Sequence, residues 1–376
     1  MTRMKWCQSC VLPDTRPNLE LDEEGVCNAC RMHGSKHQIP WETRSEELRG
    51  VVAHAKASGA RYDCVIPVSG GKDSTWQTIK CLELGLRPLA VTWRPPGRTP
   101  LGQKNLDNLR KLGVDHIDFS INPTIERTFM KKTFIEAGSP AIPMHLAIFA
   151  IPPSLAIAFD IPLVVWGENS AFEYGYVSDS HVGAKLTTEW LRTYGVTGGT
   201  TAREWVGPDL PLEFMGPYLG PSERELQDHN LRAVFLGYYL EWDPKMTAET
   251  AMRYGFQADG DGPRTGVYDF ADIDDEFISI HHWMKWFKFG FTRTFDNLSI
   301  EIRNGRITRE EALAYIRSHG ISEPTRDIIS LCSHLGMTRH EFDNVCDSWR
   351  NPGMWEKGPD GRWHLSGFLL PDVSLP

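Results

Sequence analysis

The chain has 376 residues, of which 41% are hydrophobic and 11% aromatic, with a net charge of −9, enough apolar material for one large domain or two to three smaller ones. A pI near 5.8 argues against broad electrostatic binding of nucleic acid, which works by neutralising phosphates. No stretch approaches the roughly 20 apolar residues of a membrane span, and MTRMKWCQSC puts cysteines where a secretory signal needs an apolar segment, so a cytoplasmic location is expected.

Residues 1–40 hold turn-formers and almost no periodic hydrophobicity, so something other than an ordinary core must organise them. Cys7, Cys10, Cys27 and Cys30 supply it in the pattern C-x2-C-x16-C-x2-C, which presents four thiolates to one ion from two knuckles. Four sulfur ligands leave no open position, so the ion is expected to be structural. Zinc is the expected metal, with iron in a rubredoxin-like or cluster site as the alternative. Cys64, Cys81, Cys332 and Cys346 stand singly and read as buried thiols.

From about residue 43 the pattern becomes periodic. TRSEELRGVVAHAKASGA reads as a helix, YDCVIPVS as a strand entering SGGKDS, and DSTWQTIKCLELG as the next helix. RPLAVTW is a strand, LGQKNLDNLRKLG a helix, HIDFSI extended and IERTFMKKTFIEAG helical. HLAIFAIPPSLAIAF reads as a helix broken at Pro152 and Pro153, ahead of the strand IPLVVWG. This alternation predicts a parallel, doubly wound α/β sheet over residues 41–240. Residues 170–220 turn rich in Gly, Pro and Thr and read as an insertion or lid, and 241–376 as a mostly helical region.

Val68, Ser69, Gly70, Gly71, Lys72, Asp73 and Ser74 lie where a strand passes into a helix. Glycines let the backbone approach a polyphosphate, helix-terminal amides and dipole favour its charge, the serines add donors and Lys72 a cation. Asp73 would repel phosphate unless Mg2+ stood between them, so magnesium pyrophosphate is the expected ligand. Gly167, Glu168 and Asn169 follow the fourth strand, at the carboxyl edge where open α/β sheets bind ligands. Glu168 is the candidate for orienting ammonia or holding metal, with a capped strand-end turn as its plainer reading. Lys285, Lys288, Arg293, Arg303, Arg306 and Arg309 concentrate positive charge in an acidic chain. They suit a carboxylate or diphosphate, Lys288 and Arg293 being preferred because aromatics flank both, although a solvated helical face explains such residues too. His145, His281 and His282 read as structural and are left out of the site.

SGGKDS resembles the PP-loop of the ATP-pyrophosphatase superfamily and lacks the G-x-x-x-x-G-K-[ST] of Walker A. With CxxCVLPDTRPNLELDEEGVCNAC, PLAVTW, TPLGQKNLDNLRKLGVDHI, PLVVWGENSAFEYG and KWFKFGFTRTFDNLSIEIRNGRITREEA, the chain resembles the N-acetyl sugar amidotransferases of surface-polysaccharide biosynthesis, the WbpG and PseA type. The resemblance implies an adenine nucleotide alpha hydrolase-like sheet with an N-terminal zinc ribbon and a C-terminal helical region. It implies an ATP- and Mg2+-dependent enzyme, forming AMP and pyrophosphate, with Lys72, Asp73 and Glu168 in catalytic positions and Val91 and Thr92 at a backbone-read adenine pocket. The product implied is an acetamidino sugar of lipopolysaccharide O-antigen or nonulosonic acid biosynthesis, made from an anionic sugar or nucleotide-sugar. Ammonia would come from a partner glutaminase through a cyclase-like channel subunit (HisH/HisF-like). This chain shows neither an N-terminal cysteine nucleophile, residue 2 being Thr2, nor a glutaminase elbow. The competing readings are a PP-loop tRNA thiolase, for which a second cysteine set near the loop is missing, and a non-catalytic nucleotide-binding scaffold.

Overall fold

A computed structural model describes residues 3–169, 175, 186–359 and 361–370. Its centre is a five-stranded sheet in the order β3-β2-β1-β4-β5, parallel throughout. The strands are β1 (Cys64–Pro67), β2 (Pro88–Trp93), β3 (Asp115–Phe119), β4 (Leu163–Trp166) and β5 (Arg232–Phe235). Their side chains alternate between two apolar clusters. Val65, Leu89, Val91, Val164 and Trp166 enter one, while Cys64, Ile66, Ala90, Leu163 and Val165 enter the other. Both faces are therefore covered, as strands this uniformly apolar require.

After a short first helix, α1 (Asn28–Ser35), one face is covered by α2 (Trp41–Ala57), α3 (Lys72–Glu83) and α4 (Pro100–Arg110), through residues such as Leu48, Trp76 and Leu106. The other is covered by α5 (Pro123–Ala137) and α6 (Ile142–Ala158), through Phe129, Ala147 and Ile151. Helix α6 runs unbroken through Pro152 and Pro153, which corrects the expected break. An interior proline costs about 3 kcal/mol or more. Both prolines are buried in this helix with Ala147, Ala150, Ile151 and Ala156, and packing against the sheet holds it together.

Strand β5 was not expected. Its four residues, with Arg232 exposed and Ala233 half-buried, carry too short an apolar run to stand out. The expected insertion falls partly outside the described residues. Its described part contains short helices at Thr188–Tyr194 and Gly216–Leu219 with two 3-10 turns between them. Beyond β5 the chain is helical, with Pro244–Arg253, Ile278–Phe289, Arg293–Arg303, Arg309–His319, Thr325–Leu335 and Arg339–Ser348, and closes on a hairpin of β6 (Trp355–Lys357) and β7 (Trp363–Leu365).

The N-terminal residues share one apolar cluster with these later helices. Met4, Trp6, Val11, Leu12 and Leu19 pack among Phe277, Trp286, Phe291, Phe295 and Leu370. Trp6 Nε1 donates to Gly367 O at 2.8 Å and Arg309 Nε to Cys10 O at 3.0 Å. The cysteine segment, which lacks a core of its own, thus completes the core of the C-terminal region. Among the described residues no helix is long and apolar enough to cross a membrane.

Candidate active site

Chain order moves outward from β1 through β2 to β3, then returns to β4 on the other side of β1. The carboxyl ends of β1 and β4 therefore flank the topological switch point, where open α/β sheets bind ligands. Residues 68–74 follow β1, and Gly167, Glu168 and Asn169 follow β4. The sheet brings both segments to one crevice.

The loop is tightly determined. Gly70 has φ +89°, and a Cβ there would stand 2.6 Å from Leu106 N, so only glycine fits. The amides of Ser69 and Gly70 converge on Ser74 Oγ at 3.4 and 3.2 Å, and Gly71 N donates to Ser69 Oγ at 3.2 Å. A ligand oxyanion at the N-terminus of α3 would compete for these amides. Lys72, 7% exposed, pairs with Asp73 and sits 5.7 Å from the Trp242 ring centre and 5.9 Å from that of Phe270. Asp73 Oδ1 accepts from Trp242 Nε1 at 3.0 Å and Thr247 Oγ1 at 3.1 Å. Asp73 is therefore held in place by Lys72, Trp242 and Thr247.

Val68 N donates to Val91 O at 2.8 Å, and Thr92 Oγ1 donates to Val68 O at 2.7 Å. Both Val91 and Thr92 are buried, so the sheet itself uses the Val91 carbonyl and the Thr92 side chain. Asn169, 1% exposed, accepts from Trp190 Nε1 at 3.1 Å and anchors the neighbouring helix. Gly167 O accepts from Gly237 N at 3.0 Å. Glu168 lies half-buried between them.

The basic cluster divides. Arg306 pairs with Glu301 and Asp243, and Arg309 holds the Cys10 carbonyl. Lys285, Lys288 and Arg293 instead line a cavity of about 530 Å³ together with Arg16, His281 and His282. Lys285 Nζ donates to Asp296 Oδ2 at 3.0 Å, and Arg16 Nε to Asp296 Oδ1 at 3.0 Å. Burial alone would push the Asp296 carboxyl up, but Lys285, Arg16 and Arg293 hold it well below the usual range. Lys288 Nζ caps Ala137 O at 2.9 Å, and among the described residues no carboxylate pairs with it. Burial lowers both lysines, with Asp296 opposing the shift at Lys285.

The three histidines left out of the sequence-based site lie here. Ser139 Oγ is 3.0 Å from His281 Nδ1, and His145 Nδ1 donates to Ala141 O at 2.7 Å. Burial, with the nearby lysines, lowers His145 and His282 to about 4 and holds His281 well below the usual imidazole value, which favours the neutral form of all three. Their signal in the sequence is weak, because His281 and His282 follow the same helical period as the tryptophans beside them.

Sequence reading also misses the segment 272–276. Asp272 has φ +57°, a conformation that a non-glycine residue holds only where its surroundings enforce it. It accepts from Thr265 and lies 3.3 Å from His282 Nε2 and 3.4 Å from Arg293 Nε. Two residues on, Asp274 is raised by burial and partly restored by a hydrogen bond with Ser69 of the loop. Thr99 N donates to Asp274 O at 3.1 Å. Asp275 beside it and Glu126, which accepts from Trp93 Nε1, are each pushed up to about 7 by burial.

In the N-terminal segment, the sulfurs of Cys7, Cys10, Cys27 and Cys30 lie within 4.8 Å of one another. Cys10 N and Cys27 N donate to Cys7 Sγ at 3.4 and 3.2 Å. Hydrogen bonding to the other sulfurs draws Cys7 well down and Cys10 to about 7, while the same neighbours raise Cys27 and Cys30. Such thiols compete for charge that a cation would balance, and their number and closeness fit one metal ion.

Residues 261–368 match the family described as LPS biosynthesis protein WbpG-like, C-terminal domain. This segment is similar to a WbpG-like C-terminal domain. That domain contributes Arg293, His282 and Asp272 to the cationic cavity and Asp274 to the phosphate loop. No curated protein matches the chain. Among solved structures it is similar to NMN synthetase from Francisella tularensis, at 14% identity over 71% of this chain and 94% of that one, with TM-score 0.34. It is also similar to NAD+ synthetase from Burkholderia pseudomallei, at 15% identity over 62% and 95%, TM-score 0.29. A predicted subunit of tRNA methyltransferase from Methanocaldococcus jannaschii matches at 17% identity over 50% and 73%, TM-score 0.28. The strand order and register define the fold.

Proposed function

We propose that the chain is an ATP-dependent N-acetyl sugar amidotransferase, which activates an acetamido oxygen by adenylation and replaces it with nitrogen. One observation carries the reading. Asp274 meets the phosphate loop while Asp272 meets the cationic cavity, and two residues of chain span at most about 7 Å. A nucleotide on the loop and an anionic sugar in the cavity would thereby lie within reach of one another across this segment.

An amide carbonyl is a poor electrophile, and its oxygen a poor leaving group. In the proposed sequence the acetamido oxygen attacks the α-phosphorus of ATP, and pyrophosphate leaves toward the Ser69, Gly70 and Gly71 amides and Lys72. Ammonia adds to the imidate carbon, AMP departs with the former amide oxygen, one proton is released and an amidine remains. Positioning and charge stabilisation supply most of the acceleration at phosphorus. Mg2+ would arrive with the nucleotide and neutralise its phosphates, with Glu168 as the carboxylate at the crevice to hold it or to orient ammonia. Lys288 and Arg293 would grip the carboxylate of the sugar.

Zinc is the metal we assign to the four cysteines, as a structural ion. Ammonia would be delivered by a glutaminase and a channel subunit in the cytoplasm. Glutamine-dependent turnover by this chain alone would overturn that assignment.

The test is a product assay with ATP, magnesium, an ammonium salt and diacetamido sugar acids. AMP, pyrophosphate and a sugar product about one mass unit lighter are expected, all lowered at least about a hundredfold in Lys72→Ala. AMP formation only with tRNA and a sulfur donor would place the chain among the thiolases instead.

A further inference from the structure

His145 stands on the first turn of α6, and its Nδ1 lies 2.7 Å from Ala141 O. A carbonyl oxygen only accepts, so Nδ1 carries the ring proton and the neutral imidazole presents Nε2 as a lone-pair acceptor. That atom has no hydrogen-bond partner among the described residues, and it is not sealed from solvent as His282 Nδ1 is. The side chain is half-buried and forms part of the wall of the cationic cavity.

The other groups of this wall that could take up a proton are already engaged. Asp296 is held by Lys285 and Arg16, and Asp272 lies against Thr265, His282 and Arg293. Burial would raise both carboxyls, but these neighbours keep them well below the usual range, which makes them weak bases. His282 Nε2 faces Asp272 at 3.3 Å, and His281 Nδ1 meets the Ser139 hydroxyl at 3.0 Å. Ser139 Oγ already accepts from Ala141 N at 3.4 Å, and donating its own proton to His281 Nδ1 leaves His281 Nε2 as a donor. Among the described carboxylates and imidazoles of the cavity, His145 keeps the open basic nitrogen.

We propose that His145 is the general base of the nitrogen step, its Nε2 taking the proton that ammonia must lose. The assignment rests on the amidotransferase reading for the reaction itself. When ammonia adds to the imidate carbon, a C–N bond forms and the new nitrogen carries three hydrogens and a positive charge. One N–H bond breaks, its proton passing to Nε2. The electron pair left on nitrogen forms the C=N bond as the C–O bond breaks, and AMP leaves with the electrons of that bond. The imidazolium then returns its proton to water. An anionic sugar and the departing AMP bring negative charge into the cavity, which offsets the effect of burial and of Lys285 on this imidazole.

The test measures AMP and amidine together, with ATP, magnesium, ammonium and the diacetamido sugar acid that turns over in the product assay. The variants are His145→Gln and His145→Asn, which both keep an N–H for Ala141 O, and His281→Gln, each checked for fold by circular dichroism. The wild type should form amidine and AMP in equal amounts. Replacing His145 should lower amidine formation at least about a hundredfold and leave AMP in excess, because the stranded imidate is hydrolysed back to the acetamido sugar. Hydroxylamine gives a more acidic adduct that loses its proton to water, so with hydroxylamine the His145 variants should come within about tenfold of the wild type. His281→Gln should keep AMP and amidine equal. AMP and amidine falling together in folded His145 variants, with no recovery in hydroxylamine, would overturn the assignment and leave the amidotransferase reading intact. Excess AMP in His281→Gln but not in the His145 variants would overturn it as well. No AMP from the wild type with any sugar acid would sink the amidotransferase reading, and the base with it.

Discussion

The phosphate loop and the cationic cavity are built in opposite ways. Seven consecutive residues, 68–74, make the loop, and its amides, hydroxyls and lysine are placed by one strand, one helix and one glycine turn. The cavity draws Arg16 from the cysteine segment, Ser139 and His145 from around the start of α6, Arg192 from the insertion, and Lys285, Lys288 and Arg293 from the WbpG-like domain. A local site tolerates distant damage, whereas an assembled one depends on every segment that supplies a wall. Substitutions and metal removal should separate the two.

The largest effect is expected at the local site. Lys72→Ala should lower ATP-to-AMP turnover about 10²- to 10³-fold, while the affinity for the anionic sugar, measured without ATP, stays within about twofold. Equal loss of both would show that loop and cavity are one unit.

Metal removal should do the reverse. Because Trp6, Val11 and Leu12 are part of the C-terminal core, Cys10→Ser or a strong chelator should unfold the cavity region first. Apparent binding energies of structural four-ligand sites reach on the order of 10 kcal/mol. Elemental analysis should give one zinc per chain, and differential scanning calorimetry an early transition absent from the metal-loaded protein. A single transition unmoved by chelation would mean that the cysteine segment stands on its apolar contacts alone.

Within the cavity, Lys288→Met and Lys285→Met should differ. Lys288 leaves no carboxylate behind, so its loss should raise KM for the sugar about tenfold, with kcat and stability little changed. Lys285→Met strips a cation from Asp296, which is 1% exposed. Breaking such a buried pair costs about 3–5 kcal/mol, and the Arg16 contact that remains places the expected loss at the low end, read by urea denaturation.

The smallest effect concerns pH. His145 and His282, lowered to about 4 by burial, bind fewer protons folded than unfolded. Their contribution is complete above the unfolded value near 6.5 and is lost as pH falls toward 4. Glu126 and Asp275, raised to about 7 by burial, act oppositely, and their contribution is lost as pH rises from about 4 through 7. The two sets partly cancel in the wild type. Glu126→Gln should therefore gain stability relative to wild type at pH 8 but not at pH 4, whereas His145→Gln should flatten the decline between pH 6.5 and 4. Parallel melting curves across that range for both variants would contradict these assignments.

The loop and the cysteine site were legible because each is written in short, fixed spacings, and the sheet because its strands and helices alternate with clear periods. Lys288 and Arg293 were legible as charge in an acidic chain, but not the division between cavity cations and those, such as Arg306, spent on structural carboxylates. His145, His281 and Asp272 escaped because their importance is tertiary. Nothing near residue 145 announces that it will face residue 281. Pro152 and Pro153 misled for the related reason that burial on the sheet outweighed a local propensity.

The central claim is that this loop directs adenylation of an amide oxygen, and isotope transfer tests it most directly. The acetamido oxygen of the sugar acid is labelled with 18O, turned over with ATP, magnesium and ammonium, and the AMP is analysed by mass spectrometry. One 18O in the phosphate of AMP is expected for each amidine formed, with both products lowered at least about a hundredfold in Lys72→Ala. Unlabelled AMP, with 18O retained in the sugar or released to water, would contradict it.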